Sequence, residues 1–378
     1  MPVITLGEVT KRGIYKLKKV GIITFHNACS FGAQLQLYAL YNTLKQQKLD
    51  VYVIDYKNKR IEEAYKFFTI NFEKVSWFFK SIIRNILYFP RRFMQRKSFK
   101  NFSKNNFKLI DLKSLDDLDM VVCGSDQIWN TELTRELDEY LTLYNPVFDN
   151  KRRISYAASV GTAKLIEENQ ELYKKMLSKI EYMSVREKEA ETKLAPLLNK
   201  EVTTVLDPTL LLNKKTWENL VKDRSEVGIK YIFAFNASFD EEYLKIVNEL
   251  SQKTGLKVIY GDIWRKKYKN PYKSIFTSGP EDFIYYVKNA EYVVTTSFHA
   301  TVFSILYHKN FFVIPHKSTG ARVTNLLRIC KIEGRVFNTF EDFKKINNYD
   351  VETDWKMVDT LLEENKKDSI NWLKNAIK

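Results

Sequence analysis

Ser297-Phe298-His299 stands between two apolar stretches, residues 291–295 and 299–306. The first, β-branched and short, predicts a buried strand; the second predicts a helix that starts almost at once. Such a junction turns the unpaired N–H groups of a helix start toward whatever lies beyond the strand, and an anion is their natural partner. Ser297 can cap that helix. His299, in its first turn, carries the side chain best suited to giving and taking a proton near neutral pH. A capped helix with an ordinary histidine has the same sequence, so the stretch alone leaves both readings open.

Other polar groups end apolar runs in the same manner. Met120-Val-Val-Cys-Gly-Ser-Asp-Gln127 reads as a strand closed by Gly124, after which Ser125, Asp126 and Gln127 can bond the hydroxyls of a ligand. Residues 20–25 form another such run, followed by the turn His26-Asn-Ala-Cys-Ser-Phe-Gly32, which places Asn27 at a strand end. Tyr182-Met-Ser-Val-Arg186 presents an arginine fork, which suits a carboxylate or phosphate and equally a salt bridge to Glu187 or Glu189. Lys317, Arg322 and Arg335 are further cations downstream of His299. His299, His308 and His316 have no Cys or carboxylate at a metal-ligand spacing. G-x-G-x-x-G and G-x-S-x-G are both missing, which argues against a dinucleotide fingerprint and a serine nucleophile.

These groups need a scaffold that brings strand ends together. At 378 residues with 44% hydrophobic content, the chain predicts two cores. Strands expected near residues 20–25, 51–55, 120–123, 152–158, 182–186 and 202–206 alternate with helices. A second α/β series follows, with strands at 229–235, 256–260, 292–295 and 311–314, and a long terminal helix at 354–377. The expectation is an α/β protein of two doubly wound Rossmann-like domains facing a cleft. Residues 1–207 form the first, 208–345 the second, and 346–378 a helix returning to the first. Pro208 marks the hinge.

The charge is uneven. The net charge is +15, and residues 57–108 hold 14 Lys or Arg against three acidic residues, interleaved with Phe67, Phe68, Phe72, Trp77, Phe78, Phe79, Phe89 and Phe93. This basic aromatic insertion predicts a helix over 77–89, stopped by Pro90, that either lies on an anionic membrane surface through 67–107 or packs its aromatics inward. No nucleic-acid-binding pattern accompanies the charge, so nucleic acid is not expected as a partner. Three isolated cysteines suit a reducing compartment. No signal-peptide core appears in the first eighteen residues and no eighteen-residue apolar run anywhere. The expected location is the cytoplasm, at most peripheral at the inner face of the membrane.

Taken together, residues 27–36, Gly124-Ser-Asp-Gln-Ile-Trp-Asn130, Ile154-Ser-Tyr-Ala-Ala-Ser159, Ser184-Val-Arg-Glu187, Leu206-Asp-Pro208 and Thr296-Ser-Phe-His299 resemble the polysaccharide pyruvyl transferase family in order and spacing, over about residues 19–335. The resemblance implies two domains of the GT-B type and transfer of a pyruvyl group, as a ketal, from phosphoenolpyruvate to a sugar. Members build capsule, exopolysaccharide or secondary cell-wall polymers, so the implied acceptor is a glycan or lipid-linked sugar, with phosphoenolpyruvate as co-substrate and no cofactor. His299 becomes the candidate acid/base. Arg186, Ser297, Lys317 and Arg322 become the candidate donor-binding residues, and Asn27, Ser125, Asp126 and Gln127 the acceptor-binding ones. Two positions depart from the pattern: Ala300 replaces a frequent Gly, and Ser297 stands where some branches carry a donor-binding Arg, which places this chain in a Ser-Phe-His branch. A nucleotide-sugar GT-B glycosyltransferase and a non-catalytic glycan- or membrane-binding scaffold are the alternatives.

Overall fold

The computed structural model describes residues 7–9, 15–64, 75–221, 228–236, 240–261, 267–315, 320–346 and 348–378, with backbone alone for 7–9, 15–16 and 75–85. A small antiparallel hairpin, β1 (Gly7–Val9) with β2 (Tyr15–Leu17), precedes the first large sheet. That sheet has seven parallel strands in the order β5-β4-β3-β6-β7-β8-β9. They are β3 (Lys19–Ile23), β4 (Asp50–Ile54), β5 (Leu109–Ile110), β6 (Met120–Cys123), β7 (Arg152–Ala158), β8 (Tyr182–Val185) and β9 (Val202–Thr204). The second sheet is also parallel, in the order β12-β11-β10-β13-β14. It comprises β10 (Tyr231–Phe235), β11 (Lys257–Tyr260), β12 (Pro271–Ser274), β13 (Tyr292–Thr295) and β14 (Asn310–Val313).

Helices cover both faces of each sheet, so the central strands are buried along their whole length; every residue of β6 and β13 is buried. The strand order reverses between β3 and β6 in one sheet and between β10 and β13 in the other. Loops leaving the carboxyl ends of such neighbouring strands diverge, and ligands bind in the gap. Asn27, Gly124 and Asp126 follow the first pair, and Asn236 and His299 the second.

Helix α1 (Phe31–Gln46) joins the two halves. Ser30 caps it by accepting the Ala33 N–H at 3.4 Å. Its Leu35, Leu37 and Leu40 are fully buried against the first sheet, while the Phe31 ring stacks on Phe283 at 5.0 Å and meets Phe235 edge-on at 5.7 Å. One hydrophobic cluster therefore runs from Val20 through Phe31 to Phe233 and Phe303. Gln34 and Gln36, polar members of the helix, are buried as well. Gln34 donates to the His26 carbonyl, and Gln36 accepts the Ser125 N–H at 3.0 Å, tying together the loops after β3 and β6.

Helix α2 spans Val75–Asn106 and runs straight through Pro90, so the stop expected there does not occur. Proline removes one N–H and crowds the carbonyl of Ile86, and Ile86 lies on the exposed side of the helix, where water replaces the lost partner. Phe99 and Phe102, buried beyond the proline, anchor the continuation. Two further helices, α3 (Phe298–Leu306) and α4 (Ala321–Ile329), flank the second switch point. The terminal helix α5 (Trp355–Ala376) packs back on the first sheet. Its Ser369 hydroxyl accepts the Leu206 N–H at 3.0 Å, and Trp372 meets the Tyr156 ring at 6.1 Å.

Candidate active site

The turn after β13 is held by its own hydroxyls. Thr295 Oγ1 accepts the Ser297 N–H at 2.9 Å and donates to the Phe235 carbonyl at 2.6 Å, and Thr296 bonds the Asn236 side chain at 2.9 Å. Ser297 is thereby fixed as the cap of α3, its Oγ accepting the Ala300 N–H at 3.5 Å. The first turn then projects Phe298 and His299 away from the second sheet toward the first.

His299 meets two elements of the first domain. Its Nε2 is 3.8 Å from Asp207 Oδ2, an ion-pair separation rather than a hydrogen bond, and this nitrogen is buried without a hydrogen-bond partner. Its other face lies against α1, so closely that a Cβ on Gly32 would stand 2.1 Å from Nδ1. Alanine is the better helix former, so by propensity alone Gly32→Ala should not harm α1. We expect it instead to displace the imidazole and cut turnover by about 100-fold, the effect of a misplacement near 1 Å. A parallel melting curve checks the assignment: a large loss of melting temperature would mean that Gly32 serves the fold.

Asp207 is the hub. Both its side chain and that of Arg186 are almost wholly buried, and Arg186 Nη1 donates to Asp207 Oδ2 at 2.8 Å. Thr209 donates its N–H (3.0 Å) and hydroxyl (2.6 Å) to Oδ1. Burial acts to raise the carboxyl, but His299, Arg186 and Thr209 outweigh it and hold Asp207 well below the usual carboxylate range. Burial also works against the Arg186 cation, yet Glu187 and Asp207 more than compensate and keep it firmly charged. Glu187 Oε1 is 3.5 Å from Arg186 Nε and also bonds the Ser159 hydroxyl.

A second guanidinium completes the group. Arg186 and Arg322 lie over the Phe298 ring, at 5.3 and 5.8 Å from its centroid, so one aromatic side chain contacts both cations. Burial, followed by the repulsion of Arg186, pushes Arg322 down to about 10. Arg322 Nε and Arg186 Nε and Nη2 are buried N–H donors without acceptors. Both arginines also line a cavity of about 190 Å³ whose far wall is α5, through Asn365, Asp368 and Trp372. A carboxylate or phosphate there would meet the charge of two guanidiniums.

Of the residues expected from sequence, the structure brings together His299, Ser297, Arg186 and Arg322. Asp126 joins them, because its charge acts on both arginines. Ser125 is buried nearby with an unpartnered hydroxyl. Gln127 is engaged by Asn130, which donates to its side-chain oxygen at 2.9 Å. Lys317 lies outside the described residues. Arg335 is removed from the site: it is buried against the Phe311 and Val351 carbonyls and the Thr353 hydroxyl, where it ties β14 to the chain before α5.

Asn27 lines a different and larger cavity, about 850 Å³, on the first domain beside α2. There His26 Nε2 meets Asp55 Oδ1 at 3.0 Å, and burial lowers the histidine's proton affinity despite that carboxylate. Lys57, Glu62, Arg96 and Lys100 form much of the remaining wall. Sequence reasoning missed His26–Asp55, the hub role of Asp207, and the packing of Phe298 against both arginines. The Leu206-Asp-Pro208 motif was visible as a hinge and as part of the family pattern, without a site role for Asp207. Among the described residues no cluster of three His, Cys, Asp or Glu could hold a metal ion.

Two Rossmann-like domains with a site between their switch points define a GT-B type protein. The fold is similar to that of UDP-N-acetylglucosamine 2-epimerase from Rickettsia bellii, with a TM-score of 0.52, 10% identity, and coverage of 96% of this chain and 97% of that one. It is similar also to Arabidopsis thaliana UGT89C1 complexed with UDP-L-rhamnose, with a TM-score of 0.51, 11% identity, and coverage of 95% and 98%. At such identities the likeness concerns the fold alone. No curated protein matches the sequence significantly. The profile of the polysaccharide pyruvyl transferase family matches residues 31–318, and the chain belongs to that family of transferases.

Proposed function

We propose that this protein transfers a pyruvyl group from phosphoenolpyruvate to a sugar of a bacterial surface polysaccharide or its lipid-linked precursor. One observation carries the donor assignment: two arginines with unmet N–H donors both contact Phe298, the residue before His299. Phosphoenolpyruvate offers two anionic groups on a three-carbon frame, which suits a small cavity served by two guanidiniums.

In this reading His299, as imidazolium, gives its proton to the methylene carbon, and Arg186 and Arg322 hold the carboxylate and phosphate. One sugar hydroxyl adds to the cationic carbon and returns a proton to His299. A second hydroxyl replaces phosphate at the same carbon, and its proton leaves with phosphate. Ketal formation is thereby balanced: two C–O bonds form, one C–O bond to phosphate breaks, and the methylene becomes a methyl. Asp207 orients His299, and the backbone N–H groups at the start of α3 add to the anion's field.

Melting curves with added ligand test the donor. Phosphoenolpyruvate at about a hundred times its Kd adds about 2.7 kcal/mol, read as a rise in Tm of a few degrees. Stabilisation by uridine diphosphate and not by phosphoenolpyruvate would replace this reading with a nucleotide-sugar transferase.

A further inference from the structure

Helix α2 carries an exposed apolar stripe that the site does not use. Ile86 and Leu87 are 65% and 68% exposed, and Phe89, Phe93 and Met94 are exposed too. Of the 12 large hydrophobic side chains exposed among the described residues, five thus fall within residues 86–94. Apolar side chains scattered singly need no explanation, whereas a contiguous group marks an interaction surface. The Phe89 and Phe93 rings stack at 6.2 Å into a ridge, and Arg91 borders it against Tyr88. The helix sequence contains eight Lys or Arg and no Asp or Glu.

We propose that α2 docks this protein on an anionic lipid bilayer. Such a surface suits both features at once: the acyl boundary takes the aromatic and aliphatic side chains, and lipid phosphates take the arginines. Nucleic acid would match the charge but leave the stripe in water. No helix of the described residues is long and apolar enough to cross a membrane, so the contact is superficial. Phe89, Phe93, Arg96 and Lys100 follow the i, i+4, i+7, i+11 spacing of one helix face, and the last two line the 850 Å³ cavity. Docking therefore turns the mouth of that cavity to the lipid, where a sugar carried on a membrane-borne phosphate can enter. This last consequence rests on the transferase reading; the docking does not.

Co-sedimentation of the full chain with phosphatidylcholine vesicles, with and without phosphatidylglycerol, tests the proposal. The expected result is binding that requires phosphatidylglycerol and weakens at high salt. Phe89→Ser/Phe93→Ser and Arg91→Glu/Arg92→Glu should each lower the partition at least about tenfold, with Tm and stabilisation by phosphoenolpyruvate unchanged. No binding by the parent chain, or equal binding by both variants, would overturn the idea. So would a sedimentation-velocity dimer that Phe89→Ser/Phe93→Ser dissociates, because a second copy would then cover the stripe. Vesicle binding without any stabilisation by phosphoenolpyruvate would sink the donor reading and leave the docking standing.

Discussion

Replacing His299 with alanine should lower turnover by about 10²–10⁴-fold, the usual contribution of a positioned acid/base, while the protein still folds and still binds phosphoenolpyruvate. Binding should persist because the partners proposed for the anion are Arg186 and Arg322, and neither depends on the imidazole for its position. Arg186 is fixed by Asp207 and Glu187, and Arg322 lies over Phe298. Folding should persist because His299 makes no hydrogen bond through Nε2, and Asp207, the carboxylate it faces, keeps Arg186 and Thr209 as partners without it. Phosphate release from phosphoenolpyruvate with the sugar acceptor gives the rate, and melting with phosphoenolpyruvate gives the binding. Near-parental turnover in a folded His299→Ala protein would remove the residue from the chemistry. Loss of stabilisation by phosphoenolpyruvate would instead make His299 a donor ligand.

Much of this site could be seen in the sequence because parallel strands covered on both faces are continuous apolar runs. Met120–Cys123 and Tyr292–Thr295 are such runs, and the polar residues that end them mark the switch points. The edge strands β5 and β12 were not visible: Leu109–Ile110 is too short to have a period, and Pro271–Ser274 is largely polar. Pro90 misled because a local signal was outweighed by packing further along the helix, at Phe99 and Phe102. Gln34 and Gln36 are polar residues of α1, yet both are buried where they bond neighbouring loops. The hardest element was Asp207. Its local sequence, Asp-Pro-Thr, is that of a capped turn, and it does cap one, but its partners Arg186 and His299 lie 21 and 92 residues away. Pairing at such separations has no periodic signature. Only the fold reveals that a turn-capping carboxylate is also the counter-charge of the site.

Asp207→Asn should therefore cost more than any surface substitution. Asparagine preserves the shape and can still accept from Thr209 through Oδ1, but an amide facing Arg186 Nη1 at 2.8 Å brings donor against donor. The guanidinium would keep only the longer contact with Glu187, 3.5 Å from Nε, to balance a buried charge. Breaking one partner of a buried ion pair costs roughly 3–5 kcal/mol. The pH dependence separates this from simple damage to the turn. Because the folded Asp207 carboxyl lies below its unfolded value, near about 3.9, its contribution is fully present above that value and is lost as pH falls toward the depressed folded one. The difference in Tm between the parent protein and Asp207→Asn should thus be largest near neutral pH and shrink on acidification below about pH 4. A difference that stayed constant across that range would show that the carboxylate's charge is not what holds Arg186. Any loss of turnover in Asp207→Asn would then have to come from the turn itself, and not from an ion pair that sets the positions of Arg186 and His299, the residues proposed to act on the donor.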